Sequence, residues 1–93
     1  MANEISLNEI IEDLQSIEPK ILEYENKYKL LSPYFYKLYK AGKLAENWDF
    51  QNWAGLYEIK LDRLEEYKQK VTDALSGLPL VDSVEKDFLT GSL

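Results

Sequence analysis

The sequence predicts an all-α fold: a helical hairpin of two long antiparallel helices, with a short helix at the turn and a C-terminal tail. Three observations carry that prediction. Residues 7–31 show apolar side chains at alternating three- and four-residue intervals, and residues 50–78 a second stripe at helical spacing, the signature of helices that bury one face. Between them, Ser32-Pro33 and Gly42 punctuate a third, shorter segment. Ten of the twelve aromatic residues lie in the stretch 24–58, which spans that turn.

The first helix begins at Ser6-Leu7-Asn8-Glu9, which reads as a capping box. The Ser6 hydroxyl can accept from an early backbone N–H, and Glu9 can reach back to the Ser6 N–H. Apolar residues then fall at Leu7, Ile10, Leu14, Ile17, Ile21, Tyr24, Tyr28 and Leu31, a heptad seam over about seven turns. Pro19 interrupts it. A proline inside a helix removes a hydrogen bond and crowds the preceding turn, at about 3 kcal/mol. The seam keeps phase across Pro19, which favours one kinked helix. Two helices, with Ser16 capping the second, are the alternative.

Ser32 followed by Pro33 predicts an N-cap and a first helical residue. This short helix should end near Ala41, with Gly42 in a left-handed cap. Tyr34, Phe35, Leu38 and Tyr39 wrap more than one of its faces, so it should be sandwiched between neighbours. Lys43–Trp48 reads as a connecting loop, and Asp49 as the cap of the second long helix. Its stripe is Phe50, Trp53, Tyr57, Leu61, Leu64, Val71, Leu75 and Leu78, widened by Ala54, Tyr67 and Ala74 and closed by Gly77 and Pro79. Residues 1–77 then form the helical domain and 78–93 a tail. In the tail, Asp82-Ser83-Val84-Glu85 can cap a short helix, or the segment can lie extended.

Composition limits the function classes. Ninety-three residues make one domain with a modest core. There is no cysteine and no histidine, so the sequence offers no disulfide, no thiolate metal site and no imidazole base. The carboxylate pairs Glu12-Asp13 and Glu65-Glu66 fall on faces assigned to water, no calcium-loop motif is present, and no serine has a histidine to activate it. The sequence therefore gives no catalytic residue, no metal ligand and no cofactor. The first 18 residues hold no basic residue and no long apolar run, and no stretch approaches ~20 apolar residues. A cytoplasmic protein with no membrane segment is expected. The net charge of −6 opposes phosphate backbones, so nucleic acid is an improbable partner despite the Lys-aromatic run from Tyr34 to Lys43.

What remains is protein binding. The candidate contact residues are Tyr34, Tyr39, Trp48 and Trp53 around the turn, and Leu80, Val84 and Phe88 in the tail. Tryptophan and tyrosine bury much area with few rotors, which is why they dominate interface hot spots. Trp53 lies on the helical stripe and suits the core equally well. A hairpin alone leaves a seam half exposed, so a homo-oligomer or a protein partner is expected.

The spacing Lys27-Tyr28, Ser32, Phe35-Tyr36, Gly42-x-Leu44, Asp49-Phe50, Trp53-Ala54, Leu56-Tyr57-Glu58 resembles small acidic antitoxin-like proteins of prokaryotic toxin–antitoxin pairs. The resemblance covers about thirty-five residues. The chain departs from that pattern at Lys29-Leu30-Leu31, where a Gly-Met-Ser type turn is common. It departs again at Lys37, Lys40 and Lys43, where acids are common. The resemblance implies a non-enzymatic protein that neutralises a small basic partner, a RelE-like or similar RNase toxin. The alternative is a self-associating helical adaptor or assembly protein.

Overall fold

A computed structural model of the chain describes residues 5–79. The described residues form three helices: α1 (Leu7–Tyr28), α2 (Ser32–Lys40) and α3 (Trp48–Leu75). The expected tail, with Leu80, Val84 and Phe88, lies outside them. Helix α1 packs along α3 with opposite chain direction: Tyr28 meets Phe50 at one end, and Asp13 meets Arg63 towards the other. Helix α2 packs on α3 where the two long helices begin and end.

The capping box forms as the sequence predicts. Ser6 Oγ accepts from the Glu9 N–H at 3.1 Å, and Glu9 accepts from the Ser6 N–H at 2.9 Å. The helix then runs unbroken through Pro19, which is exposed, so the two-helix alternative does not hold. Ile10, Ile17 and Ile21 are buried. Each such side chain contributes about 1.5–3 kcal/mol of burial. The seam ends earlier than expected. Lys29 adopts the left-handed conformation at φ 54°, and Leu30 donates back to the Glu25 carbonyl at 3.2 Å. The chain therefore swings away from α3 before Leu31, which leaves the seam and is 59% exposed.

Two other expectations change at the turn. Ser32 does not cap α2. The cap position is Leu31, whose side chain makes no capping bond, and Ser32 is the first helical residue, buried. Its N–H is satisfied instead by the Glu25 carboxylate at 2.9 Å, which places an anion at the positive end of α2. Likewise Asp49 does not cap α3. Asn47 does, accepting from the Asp49 N–H at 2.7 Å. Trp48 thus belongs to the helix rather than to the loop. Gly42 does take the left-handed conformation expected of it, at φ 72°.

The predicted stripe of α3 is buried only in part. Trp53, Ala54 and Val71 are buried as expected, while Leu61 and Leu64 are exposed. Lys60 and Arg63 turn towards α1 in their place. Lys60 reaches both Glu18 oxygens at 3.1 and 3.2 Å, and Arg63 holds Asp13 at 2.8 Å and Glu66 at 3.0 Å. Long cationic side chains lay their methylene stems on apolar surface and leave the charge at the rim.

Candidate partner-binding surface

The turn is built on one aromatic stack. Trp53 is wholly buried and lies flat on Phe35, with ring centroids 3.7 Å apart and planes 3° from parallel. Tyr24 and Tyr28 stack on Trp53 at 5.7 and 5.9 Å, and Phe50 packs against both Phe35 and Tyr28. Each of the three helices supplies rings to this cluster, and aromatic pairs add about 0.5–1.5 kcal/mol beyond the area they bury.

Every polar atom in the stack is accounted for. The Trp53 Nε1–H donates to Ser32 Oγ at 2.9 Å, and the Ser32 hydroxyl donates to Glu25 at 2.7 Å. The Tyr28 hydroxyl and the Lys27 ammonium both donate to Asp49 at 2.6 Å. Those two donors, Lys27 foremost, hold the Asp49 carboxyl below its ordinary range. Asn52 donates to the Tyr24 hydroxyl at 2.8 Å. Tyr36 donates to Glu58 at 2.6 Å and sets its ring edge-on to Tyr57. The anionic acceptor Glu58, with burial adding to it, pushes the Tyr36 hydroxyl up to about 12. These bonds tie α1 to α2, α1 to α3 and α2 to α3, so the turn is fixed from three directions.

Outside the stack, large apolar side chains at the turn are exposed. Trp48 is 71% exposed and Tyr34 60% exposed. Leu31, Tyr34 and Leu38 follow one another at three and four residues, which puts them on one outward face of α2. Between residues 26 and 45 the only charged side chains are Lys27, Lys29, Lys37, Lys40 and Lys43. Lys27 is committed to Asp49, and Lys40 lies over the Tyr36 ring at 5.8 Å.

Comparison with protein-family models gives no match. The curated proteins and the solved structures give no significant match either. The surface therefore rests on its own geometry.

The predicted contact residues separate into three groups. Tyr34 and Trp48 stand at the surface. Trp53 is interior and offers a partner nothing, and Tyr39 is half-buried against Phe35 at 5.8 Å. Leu80, Val84 and Phe88 lie outside the described residues. Leu31 and Leu38 join the surface without having been predicted for it. Their three-and-four spacing with Tyr34 is the signal, masked for Leu31 because it also continues the α1 seam. Among the described residues, no group of three or more acidic, histidine or cysteine side chains is placed to hold a metal ion. No described helix is long and apolar enough to cross a membrane.

Proposed function

We propose that this protein is a non-catalytic binding module that neutralises a small basic protein in the cytoplasm, in the manner of the antitoxins it resembles. The observation that supports this reading is the exposed Leu31–Tyr34–Leu38 face and Trp48, displayed on a turn fixed by buried hydrogen bonds. Large aromatic and apolar groups held rigidly at a surface are the ingredients of a binding hot spot, because little side-chain entropy is lost on contact. The long-range attraction comes from elsewhere. Glu12 and Glu23 on α1, and Asp62, Glu65 and Asp73 on α3, are exposed and give the helical hairpin an acidic body. A basic RNase-type surface is drawn to that body, and its approach then seats the apolar contact.

The test is affinity capture from the native cell with the full-length protein as bait, beside a Tyr34→Ala/Trp48→Ala variant. A stoichiometric small basic protein, retained by the wild type and lost from the variant, supports the reading. Recovery of the bait alone overturns it.

A second reading, a self-associating adaptor, has its own observation. Leu22, Leu61, Leu64 and Leu78 are also exposed, away from the turn. A second copy covering them would appear as a dimer in light scattering.

A further inference from the structure

Two outward faces of the described chain have complementary chemistry. On α2, Leu31, Tyr34 and Lys37 follow one another at three-residue steps, and all three are exposed. Lys29 precedes this helix and Lys43 follows it. Among the described residues, Lys29, Lys37 and Lys43 make no ion pair. On α3, Gly55, Ile59 and Asp62 follow at four and three residues, and Glu66 continues the row. Ile59 is 42% exposed, and Asp62 is exposed and without an ion pair among the described residues. Gly55 stands out in this row. Glycine is the poorest helix former after proline, yet it occupies the interior of the 28-residue α3. A Cβ there would meet nothing within 4 Å among the described residues, so no contact they make calls for a bare backbone.

We propose that the α2 face of one copy docks on this α3 face of a second copy, with Leu31 in the notch at Gly55, the Tyr34 ring on Ile59 and Lys37 on Asp62. The proposal rests on the self-association reading and gives it a different pair of surfaces. The spacing fits. Leu31 to Lys37 covers ~9 Å of helical rise, and Gly55 to Asp62 ~10.5 Å. The charges fit as well. No carboxylate lies between residues 26 and 45, so the α2 face is cationic throughout, whereas the α3 row ends in Asp62 and Glu66. Each copy carries a net charge of −6, but at physiological salt that repulsion is screened beyond ~8 Å, and the groups that face each other decide the contact.

One chain cannot close this contact on itself. Tyr36 fixes α2 on α3 through Glu58 at 2.6 Å and through the Tyr57 ring, and both faces point away from that join. A second copy brings the matching face freely, and it competes with any other protein for Tyr34. Because the two faces differ, the contact is heterologous.

The experiment is sedimentation equilibrium of the purified full-length protein over a range of concentrations, with thermal melting of each variant beside it. The average mass is expected to rise with concentration. Lys37→Glu should weaken the association about tenfold, and Lys37→Glu/Asp62→Lys should restore it. Gly55→Gln fills the notch with a better helix former. It should raise the thermal midpoint and weaken the association, opposite signs that a merely structural glycine would not give. A protein that stays monomeric at every concentration overturns both this proposal and the self-association reading. Association that neither Lys37→Glu nor Gly55→Gln weakens overturns the proposal alone and returns the contact to the exposed leucines. Failure of the double substitution to restore what Lys37→Glu loses also overturns it.

Discussion

Ser32 is the residue on which the turn depends. Its hydroxyl receives the buried Trp53 N–H and donates to Glu25, so one oxygen links α1, α2 and α3. Ser32→Ala keeps the shape nearly unchanged and leaves the indole donor buried and unpaired. A buried donor without a partner costs about 1–3 kcal/mol. The midpoint of urea unfolding should fall accordingly while its slope stays constant. Trp48→Ala, by contrast, removes a larger side chain from solvent. It should leave stability within about 0.5 kcal/mol of wild type in the same measurement. The two substitutions separate what holds the turn from what it displays. Ser32 also shows a limit of sequence reading. Ser-Pro carries an N-cap signal, but the signal is local, and the decisive partner, Trp53, is twenty-one residues away.

At the scale of the element, Lys29 ends α1 in a left-handed conformation that costs an L-residue about 1–2 kcal/mol. Glycine adopts it without penalty, at the expense of a more disordered unfolded chain. Lys29→Gly is therefore expected to stabilise the protein by about 0.5–1 kcal/mol, seen as a higher thermal midpoint. The helices themselves are legible in the sequence because their signals are contiguous: the Ser6–Glu9 box, Pro33, Gly42 and the three-four spacing. Which face of α3 meets α1 is not. Hydropathy ranks Leu61 and Leu64 above Lys60 and Arg63, yet Glu18 and Asp13 on the opposing helix give the two cations a place at the contact. That choice is made by pairing across 42 and 50 residues of sequence, which no single-helix pattern contains. The candidate binding surface is legible in part for the same reason. Tyr34 and Trp48 stand out by type, whereas Leu31 is hidden in the continuation of the α1 seam.

At the scale of the whole molecule, ionisable hydrogen bonds between helices set the pH range of the fold. The Asp49 carboxyl is held below its ordinary 3.8, so its stabilisation is complete above that value and is lost as pH falls through the lowered one. Tyr36 works from the other side. Its hydroxyl is raised from 10.0 to about 12, so its contribution is whole below pH 10 and is lost between there and about 12. Tyrosinate absorbance should show a late-ionising fraction, with unfolding setting in over the same interval; the Tyr28 hydroxyl, also raised by its bond to Asp49, contributes to it beside Tyr36. Tyr36→Phe should reduce that fraction and flatten the alkaline slope of stability. The pair of tryptophans carries a last consequence, an optical one. Trp53 is sealed in the stack and Trp48 faces water, so the emission of the folded protein is the sum of a blue component and a red one. Acrylamide reaches only the red component, and unfolding shifts only the blue. The native sequence thus contains two separate reporters, one for the integrity of the turn and one for anything that settles on its surface, with no label added.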